Sequence, residues 1–168
     1  MSSILKVDTI QNTGGTTGLT IDNNGRLGIP NPIIFFGRKS DVSTYTTVGT
    51  IVWNVSMLDT ANAYNTSTGL FTCPKAGHYE IHWHYLQRGS GYLRTTAQKN
   101  GSHVWGSGAA TIIYANNTSD EEDQRTAFAI VNCAAGDTLS IRLEDKNNTA
   151  NFYGGSNSHN GFTVKFLG

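Results

Sequence analysis

Apolar and polar residues alternate in short runs along most of this chain, and no window holds apolar residues at helical spacing for longer than about two turns. The plainest case is Gly77-His78-Tyr79-Glu80-Ile81-His82-Trp83-His84-Tyr85. Side chains on a strand point alternately to its two faces. Tyr79, Ile81, Trp83 and Tyr85 therefore share one side, and His78, Glu80, His82 and His84 share the other. The large residues suit a gap between two sheets, where each aromatic buries about 150–250 Å². The same kind of pattern predicts strands near 33–39, 48–56, 69–73, 78–87, 91–99, 103–113, 125–133, 138–144, 150–153 and 161–167. Turn-forming runs separate them: Lys99-Asn100-Gly101-Ser102, Ala134-Ala135-Gly136-Asp137 and Lys146-Asn147-Asn148. Ten strands over residues 33–168 suit an all-β, two-sheet jelly roll.

Residues 1–32 follow a different pattern. Short strands are expected at 4–10, 19–22 and 26–29, with turns at Asn12-Thr13-Gly14-Gly15 and Asn23-Asn24-Gly25. Alternation puts Leu5, Val7 and Thr9 on one face and Ile4, Lys6, Asp8 and Ile10 on the other. A hairpin of this size is marginal alone, so it is expected to be completed by other chains, either sister copies or a host surface. Pro30-Asn31-Pro32 stiffens the chain and marks the boundary between this arm and the head at 33–168.

Composition supports strands over helices. Nineteen glycines with many Thr, Asn and Ser make a poor helical chain and a good one for strands joined by turns. Twelve basic and twelve acidic residues cancel, and without a basic run no nucleic-acid partner is expected. The longest apolar runs, such as Ile33-Ile34-Phe35-Phe36, are far short of a membrane span of about 20 residues, so no membrane insertion is expected. Met1-Ser2-Ser3-Ile4-Leu5-Lys6 shows no signal-peptide pattern, which implies a product left in the cytoplasm unless something larger carries it out. Cys73 and Cys133 are too few for a disulfide framework and are expected to be separate small apolar residues, with a single bridge between them as the alternative.

The segment Trp53-x5-Asp59-x4-Tyr64-x6-Phe71-x5-Gly77-x-Tyr79-x-Ile81-x-Trp83 resembles, gap for gap, the aromatic signature of the C1q and tumour-necrosis-factor globular domain. It departs aromatic for aromatic at Trp53 and Trp83, and carries Ile81 where the family usually has Phe. Phe71-Thr72-Cys73-Pro74, Lys99-Asn100-Gly101, Ala135-Gly136-Asp137-Thr138-Leu139, Phe152-Tyr153-Gly154 and Gly161-Phe162 follow in order. The resemblance implies a homotrimer in which the strand around Trp83 belongs to the sheet at the three-fold axis. Glu80, His82 and His84 would then face the trimer interior. A second, shorter resemblance lies in the arm. Ser3-Ile4-Leu5-Lys6-Val7-Asp8-Thr9-Ile10-Gln11, with Leu19-Thr20-Ile21-Asp22-Asn23-Asn24-Gly25, is similar to the opening of many phage fibre and virion structural proteins. It implies a place in a virion assembled in the host cytoplasm, with residues 1–30 contacting other virion proteins.

Three groups carry candidate chemistry. His82 and His84 point the same way, and three-fold repetition would bring six imidazoles to one axis, a donor set for a transition metal; hydrogen bonding across the subunit interface or in solvent is the alternative. Ser119-Asp120-Glu121-Glu122-Asp123 crowds carboxylates between two strands, and Asp120, Glu121 and Glu122 are candidate calcium ligands, though the run lacks regular calcium-loop spacing and suits a solvated turn equally. Tyr114, Asn116 and Asn117 are aromatic and amide groups suited to recognising a host glycan or protein from a loop. No Gly-x-Ser-x-Gly elbow, P-loop, dinucleotide fingerprint or His-Glu-x-x-His is present. The expectation is a non-enzymatic phage attachment head, or alternatively a trimer decorating the capsid.

Overall fold

The structure, a computed structural model, describes residues 7–29, 32–40, 47–104, 113–117, 122–147, 149–153 and 159–168. The chain divides into two compact units, Met1–Pro32 and Ile33–Gly168.

The first unit is a three-stranded antiparallel meander of β1 (Thr9–Gln11), β2 (Thr17–Ile21) and β3 (Leu27–Gly28), one strand more than a hairpin. One turn chemistry is used twice. Asn12 Oδ1 accepts the N–H groups of Gly14 and Thr16 at 3.0 and 2.9 Å. Asp22 Oδ1 accepts those of Asn24 and Arg26, both at 2.9 Å. In each turn the fourth residue is a glycine with positive φ, Gly15 at 80° and Gly25 at 76°, a conformation that glycine adopts without steric cost. Register places Ile10 opposite Leu19 and Ile21 opposite Leu27, so these four share a face. None of residues 7–29 is buried.

The second unit contains β4 (Ile34–Arg38), β5 (Gly49–Thr50), β6 (Val55–Asp59), β7 (Tyr64–Asn65), β8 (Leu70–Thr72), β9 (Gly77–Arg88), β10 (Gly91–Lys99), β11 (Ser102–His103), β12 (Ile113–Asn117), β13 (Asp123–Cys133), β14 (Thr138–Lys146), β15 (Asn151–Tyr153) and β16 (Gly161–Phe166). One sheet runs β13-β9-β16-β4-β6, with β15 also on β9. The other runs β11-β10-β14-β8-β7, with β12 on β10 and β5 on β14. Every pairing is antiparallel. The described residues of this unit thus hold thirteen strands rather than ten.

Two segments account for most of that difference. The strand expected at 48–56 is two pieces in different sheets: β5 pairs with β14, whereas β6 pairs with β4. Between them the chain crosses the sandwich, burying Ile51 and Trp53. Its backbone is satisfied on the way, since Ile51 N–H donates to Ile141 O at 2.8 Å and Trp53 N–H to Tyr64 Oη at 2.9 Å. The strand expected at 103–113 ends early, at His103, and a separate strand begins at Ile113.

The signature residues lie in the core, and several bring a polar group with a local task. Trp53, Phe71, Tyr79, Ile81 and Trp83 are fully buried, and Tyr64 nearly so. Phe35 stacks on Tyr64 with ring centroids 4.0 Å apart, and Trp53 meets Phe152 edge-on at 5.6 Å. Asp59 accepts the N–H groups of Ala63 and Tyr64 at 3.0 and 2.9 Å, which sets the four-residue gap between Asp59 and Tyr64. Tyr79 Oη donates to Lys75 O at 2.8 Å, closing the turn before Gly77. Gly77 has φ 142°, and a Cβ there would come within 2.5 Å of Gly168 O. Trp83 Nε1 donates to Thr95 Oγ1 at 3.1 Å, linking the two sheets. Cys73 and Cys133 are free and buried, and burial raises both thiols above the usual range.

At one end of the sandwich Asp137 ties two turns together. It accepts from Asn100 Nδ2 at 2.7 Å and Ala134 N–H at 2.8 Å, and pairs with Lys99 Nζ at 2.9 Å. These bonds, chiefly those from Asn100 and Lys99, lower its carboxyl from the ordinary 3.8 to about 2. A carboxyl with a depressed folded pKa contributes stability above its unfolded pKa and loses it as pH falls through the folded one. Asp137→Asn is therefore expected to be less stable than the wild type at pH 7, with the gap closing between about pH 4 and pH 2. Thermal melts of both proteins at pH 7 and pH 2.5 check this; a gap independent of pH would contradict it.

Candidate functional site

The outer face of the β13-β9-β16-β4-β6 sheet is assembled by register from four strands. Opposite His84, His82, Glu80 and His78 on β9 stand Thr126, Phe128, Ile130 and Asn132 on β13. On the other side of β9, Gly161, Thr163 and Lys165 of β16 face His84, His82 and Glu80. Phe36 and Ile34 of β4 continue the rows beside Thr163 and Lys165. Cross-strand partners share a face, so all of these point away from the core filled by Tyr79, Ile81 and Trp83.

This face is not a solvated one in composition. Phe128 is 66% and Ile130 53% exposed, and Met57 and Leu58 on β6 are also exposed at the far edge. Large apolar side chains grouped on one open sheet face mark an interaction surface. Phe128 and Ile130 were not singled out in the sequence pattern, although a signal is there. Ala127-Phe128-Ala129-Ile130-Val131 is apolar on both strand faces, the pattern of a strand covered on both sides.

Within the face, His82 and His84 lie side by side, with ring centroids 5.9 Å apart and planes inclined by 36°. They line an open hollow together with Gln124 and Thr126. His82 Nε2 is 2.8 Å from Thr126 Oγ1. A Cβ at position 161 would come within 2.6 Å of His84 Cε1 and 2.8 Å of Phe36 Cε2, so the His84 ring lies against the bare backbone of Gly161. Glu80 is half-buried on the same strand face.

The other candidates are placed differently. Tyr114, Asn116 and Asn117 belong not to a loop but to β12, paired in register with Arg94, Tyr92 and Gly91 of β10. The reason is β10, whose free edge beyond β11 pairs with whatever chain runs alongside it, whereas amide-rich residues carry no local strand signal. Asp120 and Glu121 lie outside the described residues. Glu122 reaches Arg88 Nε at 3.9 Å with both side chains about half exposed, and Asp123 pairs with Arg125. Among the described residues no group of three or more His, Cys, Asp or Glu is arranged to hold a metal ion.

Two antiparallel sheets enclosing an aromatic core, with no helix among the described residues, define an all-β sandwich of the jelly-roll kind. The chain belongs to the C1q domain family, whose pattern matches residues 34–164. Among solved structures it is similar to the globular domain of the zebrafish complement 1qA protein, with a TM-score of 0.62 and 15% identity over 82% of this chain and 98% of that one. It is also similar to murine APRIL at pH 5.0, with a TM-score of 0.59 and 11% identity over 80% and 99%. At such identities the likeness is one of fold. Comparison with curated proteins gives no match. Domains of this class are generally non-enzymatic binding modules.

Proposed function

We propose that this chain is a non-enzymatic structural protein of a bacteriophage particle, three copies of which form a squat head that attaches to the host surface. The supporting observation is the open apolar face around Phe128 and Ile130 on a sheet whose other side is already a complete core. Three copies packed through that face bury it, in keeping with the homotrimers typical of C1q and tumour-necrosis-factor domains. The role in a particle rests on the amino-terminal unit, whose residues 3–25 are similar to the openings of phage fibre and virion structural proteins. None of that unit's described residues is buried, and it carries exposed Ile10, Leu27 and Ile29, as expected of a small sheet completed by other virion proteins. A host glycan or protein is the partner of the head's free surface.

Fluorescently labelled protein is expected to stain the surface of susceptible bacteria when applied to a panel of cells. Staining of purified capsids and of no cell would replace attachment with decoration of the head shell. The short amino-terminal unit, with β1 and β3 at the edges of its sheet, is equally suited to that mount.

A further inference from the structure

We propose that His82 and His84 form a transition-metal site of the zinc class, closed by three copies of the chain around one ion. The inference rests on the self-association through the outer sheet face proposed above. Alternation on β9 aims both imidazoles out of that face, and their centroids are 5.9 Å apart. Two imidazoles on adjacent positions of one ion, at roughly 2.0–2.1 Å per nitrogen, have centroids roughly 4.5–5.2 Å apart. The pair is therefore within a small side-chain adjustment of sharing a metal.

The surroundings hold the rings in the manner of ligands. Zinc-binding histidines are commonly oriented by a hydrogen bond from the ring nitrogen that does not bind. Thr126 Oγ1, 2.8 Å from His82 Nε2, is placed to accept that bond, which leaves Nδ1 for the ion. Gly161 gives the His84 ring a fixed seat, because no side chain stands between the imidazole and the β16 backbone. The remaining groups lining the hollow, Gln124 and Thr126, are uncharged. Glu80 and Lys165 stand opposite each other one step further along the face.

One chain supplies two nitrogens, short of the three or four ligands of a protein zinc site, and the described residues hold no metal-ready group of three. Three copies supply six. Phe128 stands opposite His82 and Ile130 follows it on the same strand, so the apolar residues that drive association border the imidazoles. Imidazole donors favour zinc, copper and nickel over calcium or magnesium.

The test is zinc titration of the full chain, with any affinity tag removed, by calorimetry, while sedimentation velocity reports the oligomeric state of the same samples. The expected result is one zinc ion per three chains at micromolar affinity or better. Binding should disappear in His82→Asn/His84→Asn and weaken 10- to 100-fold in Thr126→Val, with far-UV circular dichroism unchanged. A trimer that takes up no zinc, takes up one ion per chain, or binds equally well in the double variant overturns the metal site and leaves the self-association standing. A monomer overturns the self-association, and the shared site with it.

Discussion

Phe128→Glu combined with Ile130→Glu is expected to turn the head, a trimer in the assembly proposed above, into a folded monomer. Each residue stands more than half exposed on the outer face of β13, and neither contributes to the core beneath. Burying a fully exposed apolar side chain of this size yields roughly 1.5–3 kcal/mol, so this pair, a little over half exposed, contributes roughly 2–4 kcal/mol at each subunit contact. At about 1.4 kcal/mol per tenfold, that is roughly a 10- to 10³-fold loss in association constant from the lost burial alone. Carboxylates at the same positions add a desolvation penalty in any packed interface. Light scattering behind size-exclusion chromatography at micromolar concentration reads the outcome, with circular dichroism to show that the sheets persist. A wild-type monomer, or a variant that stays trimeric, removes the outer face from the assembly.

The second large effect is expected inside the sandwich. Trp83→Ala deletes a fully buried indole and its 3.1 Å hydrogen bond to Thr95 Oγ1. Replacing a buried Trp or Phe by Ala costs about 3–5 kcal/mol, and a buried hydroxyl left without one partner adds about 1 kcal/mol. Against a total domain stability of about 5–15 kcal/mol, the variant stands near the unfolding threshold at ambient temperature. Trp83→Phe keeps most of the packing and is expected to lose less than half as much. His78→Ala, an exposed change on the same strand, should stay within about 0.5 kcal/mol of the wild type. Guanidinium unfolding midpoints separate the three. A Trp83→Ala midpoint close to that of His78→Ala would mean that the indole is not what holds the sheets together.

The second expectation starts from β9, and that strand shows how far local pattern carries. Tyr79, Ile81 and Trp83 repeat with period two, and a strand with that repeat buries one face whatever its neighbours are. Gly15 behind Asn12 and Gly25 behind Asp22 mark turns through chemistry confined to a few residues: an acceptor side chain and a backbone free to take positive φ. Class of fold, turn positions and the core aromatics were therefore legible along the chain, and the gaps of the Trp53–Trp83 segment pointed to the family.

What depended on distant partners was not. The stretch 48–56 has strand composition throughout, yet Gly49 pairs with Leu143 and Val55 with Arg38, so it divides between two sheets. Tyr114, Asn116 and Asn117 have the composition of a loop and become a strand because β10 offers them an edge. Phe128 and Ile130 alternate with inward-facing Ala129 and Val131, and only the register with β9 shows that they gather beside His82 and His84 on a common outer face. Local sequence determined which residues turn inward or bend the chain, because those choices are made between near neighbours. The tertiary structure decided which sheet each strand joins and which outer face is left apolar, because those outcomes belong to pairings between residues far apart in the chain.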